Sequence, residues 1–78
     1  MSQTFQQVVA LVKVGDLLVS DHGYDELAVD GILATEVIVS ISQGVVVEDY
    51  PYYHRGPCVL VLQFENSGRP IHVVWGIP

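Results

Sequence analysis

In the stretch "LLVSDHGYDEL", residues 17–27, an imidazole and a carboxylate stand four residues apart, at His22 and Glu26. On a helix that spacing puts both side chains on one face, about one turn apart. An imidazole near a helix N-terminus titrates close to neutrality and can serve as a general acid or base, with Asp25 or Glu26 holding its tautomer. The same group could begin a divalent-cation site with Asp21 or Asp25, completed by His54 or His72. One imidazole and one carboxylate are only two ligands where tight zinc wants three or four, so we expect no metal and no cofactor. The simpler alternative is a hydrogen-bonded histidine that orders the start of a small surface helix.

A second group of chemically capable residues is "EDYPYYHRG", which places Tyr50, Tyr52, Tyr53, His54 and Arg55 around Pro51. Aromatics beside a base can stack on nucleobases, and Tyr and Arg are also enriched at protein interfaces. These residues are the first place to expect a protein partner. His72 alternates with Ile71 and Val73, as a histidine on the less apolar face of a strand would. Cys58 is the only cysteine, which excludes an intramolecular disulfide, and within "PCVLVLQF" it reads as a buried structural thiol.

The elements that must position these groups follow from periodicity. Phe5, Val8, Val9, Leu11 and Val12 are spaced as one face of a helix, capped at Ser2 or Thr4 and ended by Gly15. "DLLVS" is a brief strand or the lead-in to a second helix over about 22–30, capped by Ser20 or Asp21. Tyr24, Leu27 and Ala28 form that helix's expected inner side, with Gly31 at its end. Between Thr35 and Gly44, β-branched residues favour strand, while Glu36 in the first turn and Gly44 as a stop favour helix. We read it as a helix with Val37, Ile38 and Ile41 inward. Then "VVVEDY", "CVLVLQFE" and "PIHVVWGI" are three strands, the last two joined by a hairpin at "NSGR" (66–69). The middle strand is apolar on both faces for most of its length and reads as central, and Trp75 reads as core. The expected fold is α+β: two or three N-terminal helices packed on a C-terminal antiparallel meander of three or more strands.

Composition limits function. The chain has 78 residues, half of them hydrophobic and only 15% charged, so it is expected to fold as a single domain, 1–78. Such a small, apolar domain would suit a homodimer or another protein partner. No apolar run reaches the length of a membrane span, and "MSQTFQQ" lacks the positive charge of a signal peptide, so a cytoplasmic protein is expected. Of the net charge of −6, all is carried by residues 16–36, where Asp16, Asp21, Asp25, Glu26, Asp30 and Glu36 meet no Lys or Arg. That segment repels phosphate backbones, which disfavours RNA, and suits a basic partner.

The stretches "VSDHGYDELAVDGILATEVIVSISQGVVVEDYP" and "GPCVLVLQFENSGRPIHVVWG" together resemble the domain-of-unknown-function family numbered 4258, small bacterial proteins. The resemblance runs from about Leu17 to Trp75 and implies a barnase/RelE-like fold, the fold of ribonuclease toxins in toxin–antitoxin pairs. It further implies an activity in which His22 moves a proton at a ribose 2′-hydroxyl while Arg55, Arg69 or His72 holds the phosphate. Glu26 stands where family members carry an arginine, and a carboxylate cannot hold phosphate as a guanidinium does. Family members also continue into a further strand, whereas this chain ends at "WGIP" as a truncated form or one lacking an edge strand. The alternative function is a non-catalytic interaction domain that associates with itself or with a basic protein.

Overall fold

A computed structural model describes residues 2–77, apart from the side chains of Asp21 and His22. Three helices precede three strands: α1 (Gln3–Lys13), α2 (Asp21–Asp30), α3 (Ala34–Ser40) continuing into a 3-10 turn (Ile41–Gln43), then β1 (Val45–Tyr50), β2 (Cys58–Phe64) and β3 (Pro70–Gly76). The strands form an antiparallel meander in the order β1-β2-β3. This is the expected α+β arrangement of helices on a C-terminal sheet.

Local chemistry sets the helix ends. The Ser2 and Ser20 hydroxyls accept hydrogen bonds from the backbone N–H groups of Phe5 and Gly23, 3.0 Å each, so both helices start on a serine cap. At α3 the cap is Leu33 rather than the expected Thr35. Glu36 reaches back to accept from the Leu33 N–H at 3.0 Å, which supplies the partner that a leucine side chain cannot. Helix α2 ends at Gly31, whose φ of 67° is a left-handed conformation that glycine adopts without steric cost. The Ile32 N–H then returns to the Leu27 carbonyl at 2.9 Å and turns the chain inward, where Ile32 is buried.

The core lies between β2 and the helices α1 and α3. Val59 and Val61 of β2 are fully buried with Val8 of α1, Val37 of α3, and Ile32 and Ile41 beside it. Gln63 shares that inner face and is also fully buried. Its amide donates to the Val37 carbonyl (2.7 Å) and the Ser40 hydroxyl (2.9 Å), and its carbonyl accepts from the Trp75 indole N–H (2.6 Å). One polar side chain thus ties α3, β2 and β3 together with its hydrogen bonds made. Gly44 allows the tight approach between the 3-10 turn and this face. A Cβ there would lie 2.5 Å from a Val61 methyl.

The other sheet face has no helix over it. Cys58, Leu60 and Leu62 are half-buried there and Phe64 is exposed, so Cys58 is not the fully buried thiol that its apolar neighbours suggest. A two-faced apolar strand predicts cover on both sides, and three helices are enough to cover only one. The bulge in β1 between Val46 and Glu48 turns Glu48 and Tyr50 to this open side, where the Tyr50 hydroxyl donates to the Glu48 carboxylate.

Candidate functional site

The helical layer is uneven. While β2 is sealed, the inward residues of β3, Ile71, Val73 and Trp75, are only half-buried, and no described residue of α2 is buried. Helix α2 runs antiparallel to β3. Its end is held where an Arg69 guanidinium N–H donates to the Asp30 carbonyl (2.9 Å), and Ser20 at its start lies beside the Val74–Ile77 end of the strand. Of its expected inner side, Leu27 is half-buried and Tyr24 and Ala28 are exposed. Acids occupy three of its described positions, Asp25, Glu26 and Asp30, so there is too little apolar surface for it to seat on the sheet.

Between α2 and β3 lies a groove of about 520 Å³ floored by Ala34, Val37 and Ile38 of α3, with Leu27 and Glu26 on one wall and Val73 and Trp75 on the other. A second hollow of about 900 Å³ lies beyond it, against Val8, Leu11 and Val12 of α1. The segment 16–20 separates the two. It is irregular rather than strand or helix, yet burial alternates along it, with Leu17 and Val19 half-buried and Leu18 99% exposed. Such alternation belongs to an extended chain. Among the described residues no backbone hydrogen bond joins this segment to β3.

Among the described residues the outer edge of β3 is therefore unpaired, and the register says which groups it presents. The Glu65 N–H bonds the Arg69 carbonyl and the Ile77 N–H bonds the Pro57 carbonyl. Counting inward from both ends by alternate residues, Ile71, Val73 and Trp75 bond to β2. The backbone N–H and C=O groups of His72, Val74 and Gly76 then point away from the sheet. Pro70, which has no N–H, falls on the same outward parity.

The residues suggested for catalysis are spread out. The His22 side chain lies outside the described residues; its backbone sits in the first turn of α2. Arg55 projects from the exposed 51–57 loop at the Cys58 end of β2, and Arg69 lies at the Phe64 end. Seven strand residues separate them by about 20 Å, so the two guanidinium groups cannot share one phosphate. His72 is exposed on β3, with its side chain on the sheet face away from α1 and α3. By contrast, the loop does gather Tyr50, Tyr52, Tyr53 and His54 on the surface, with Tyr52 97% exposed and the Tyr53 and His54 rings 4.5 Å apart.

Among the described residues no group of three His, Cys, Asp or Glu side chains is arranged to hold a metal ion. No helix there is long and apolar enough to cross a membrane. The shift resolved for a titratable group lies at Glu65 in the β2–β3 hairpin. The Ser67 hydroxyl and then the Arg69 and Ser67 N–H groups donate to its carboxylate and hold it below the usual glutamate range, with the Arg69 charge adding a little.

The groove is walled by Val73, Trp75, Leu27 and Ile38, residue types that carry no chemical signature in the sequence. The available signal was the partial alternation of "PIHVVWG", the mark of a last strand with one apolar face; "LLVS" is a continuous apolar run whose alternating burial only the structure shows.

A family model, the domain of unknown function numbered 4258, matches residues 19–78. The chain belongs to this family. The match covers α2, α3 and the whole sheet, and hence both walls of the groove; α1 lies before it. No curated protein and no solved structure matches the chain.

Proposed function

We propose that this member of the family is a protein-interaction domain that takes a segment of another polypeptide into the groove between α2 and β3. The observation that carries this reading is the apolar hollow that the domain's own helix does not fill, beside a β3 edge unpaired among the described residues. An unpaired edge strand is a template for pairing, and an apolar groove rimmed by polar groups is the usual form of a docking site. The ribonuclease reading needs a cation at His22 to meet the charge that develops on phosphorus. Arg69 is engaged by the far end of α2, Glu26 brings negative charge to the groove wall, and residues 16–36 carry no lysine or arginine.

Panning a random peptide library against the purified domain tests the reading, with Trp75 fluorescence as the report, since Trp75 is the only tryptophan and lines the groove. Selected peptides are expected to perturb that fluorescence. They should bind about tenfold or more weakly to Leu27→Asn, which removes an apolar wall contact from a helix with no buried residue among those described. Val45→Lys on the opposite sheet face should leave binding unchanged. Peptides indifferent to Leu27→Asn, or RNA cleavage by the wild type that is lost in a folded His22→Ala, would reject it.

A further inference from the structure

We infer that the sheet face turned away from α1 and α3 joins two copies of this chain, packed face to face with central strand against central strand. This surface lies on the other side of the sheet from the groove, so the inference goes beyond the docking reading and does not rest on it. The strand register composes the face. Leu62 lies between Val45 and His72, and in the next row Leu60 lies between Glu48 and Val74. Residues directly opposite one another in paired strands share a face, so these rows follow from the pairing alone. Apolar groups dominate them: Val74 is 70% exposed and Val45 58%, with Tyr50 at 44% and Phe64 at 48% toward the two ends.

Three observations choose a second copy as the occupant. The first is area. The exposed parts of this face come to about 600–700 Å² per copy, so two copies would bury about 1,200–1,400 Å², within the range of about 1,200–2,000 Å² for stable specific interfaces. The second is form. Two apolar sheet faces pack about 10 Å apart with their strands within about 30° of one another, and a two-fold axis supplies both faces from one sequence.

The third is charge. The acids of residues 16–36 belong to the helical side of the sheet, so packing through the opposite face sets the two acidic layers outermost, where they repel least. Among the strand residues the face itself carries one acid, Glu48 on β1, and one imidazole, His72 on β3, at opposite rims. An axis running along the strands lays β1 of each copy over β3 of the other. Glu48 then comes over the rim that holds Val74 and the partner's His72. An axis across the strands would instead bring Glu48 toward its own counterpart, which like charge opposes.

Sedimentation equilibrium of the full chain tests this, with the Leu60 and Leu62 methyl signals followed by NMR against a soluble paramagnetic probe. The wild type is expected to sediment as a dimer at micromolar concentration, its methyls shielded from the probe and becoming accessible as dilution dissociates it. Leu62→Lys puts an unpaired charge at the centre of the contact in both copies and should weaken association about a hundredfold or more. Val74→Glu, at a position 70% exposed in the single chain, should keep the fold even where Leu62→Lys does not. It sets like charge against the Glu48 of the other copy and should weaken association about tenfold or more. Val29→Lys, on the helical side, should leave the dimer intact.

A wild type that stays monomeric at millimolar concentration overturns the inference, whether its Leu60 and Leu62 methyls are accessible or are shielded by residues of its own chain. A dimer that persists in folded Val74→Glu with those methyls accessible places the contact elsewhere, the β3 edge included, and overturns it as well. Peptide capture in the groove is read separately, by Trp75 fluorescence, so neither result decides the docking reading.

Discussion

The two flanks of the helical layer differ in what holds them. Over β2, α1 and α3 bring apolar side chains against Val59 and Val61, and Gln63 bonds to both α3 and Trp75. Over β3, α2 contributes one half-buried leucine, and an arginine bond to a terminal carbonyl holds its far end. The difference lies in helix composition. Val8 and Val37 lie on apolar stripes at helical spacing, whereas α2 sets only Tyr24, Leu27 and Ala28 at that spacing, flanked by Asp25, Glu26 and Asp30, which is too short an apolar face to seat on the sheet. A small domain has few ways to be both stable and receptive. This one concentrates its packing on the central strand and leaves an edge free.

Substitutions on the two flanks should therefore differ sharply. The largest effect is expected from Gln63→Ala, which leaves the Trp75 indole N–H without its partner, takes from the Val37 carbonyl one of its donors, and opens a cavity. Together these should cost about 3–4 kcal/mol in urea unfolding. Against a typical total of about 5–15 kcal/mol, that brings the variant close to unfolding. A cost under about 1 kcal/mol would mean that the clamp does not organise the packed flank.

Gly44→Ala comes next. The backbone at Gly44 is extended and tolerates a side chain, but the new methyl would sit 2.5 Å from Val61, against the fully buried strand. Overpacking of this kind costs about 1–3 kcal/mol, to be read from the same unfolding curve. On the open flank, Val29→Lys should change stability by no more than about 0.5 kcal/mol, because Val29 is 85% exposed. Amide exchange sharpens the same contrast. The α2 amides should exchange through local openings well before those of β2.

The smallest effect concerns pH. The hairpin donors lower the Glu65 carboxyl relative to its unfolded value, so its contribution is present once the pH is above the unfolded value and is lost as the pH falls through the folded one. The stability gap between wild type and Glu65→Gln should accordingly close on acidification through the carboxylate range. Because the group is at the surface, the gap should be small and should respond to salt. A gap that widens in acid would reverse the assignment.

Much of the fold could be read from the residues in order. Ser2, Ser20 and Glu36 act at the helix starts where their types suggested, and "NSGR" turns the hairpin. The β-branched run at 36–41 is helical as its flanking signals indicated, for Val37 and Ile41 face the core while Val39 stays exposed. The site was far less legible. The 51–57 loop does present its tyrosines and His54 at the surface, but the two arginines that could hold phosphate fall at opposite ends of β2. That separation follows from strand order and hairpin position, not from spacing along the chain.

The sequence by itself determined the elements, their order and the acidic cast of one helix, because caps, periodicity and charge are properties of neighbouring residues. Only the tertiary structure decided that among the described residues β3 pairs on one side alone, that its His72, Val74 and Gly76 groups face outward, and that α2 stands off from it. Those facts depend on which strand pairs with which and on how much surface three short helices can cover. Neither quantity is written in any local stretch of residues.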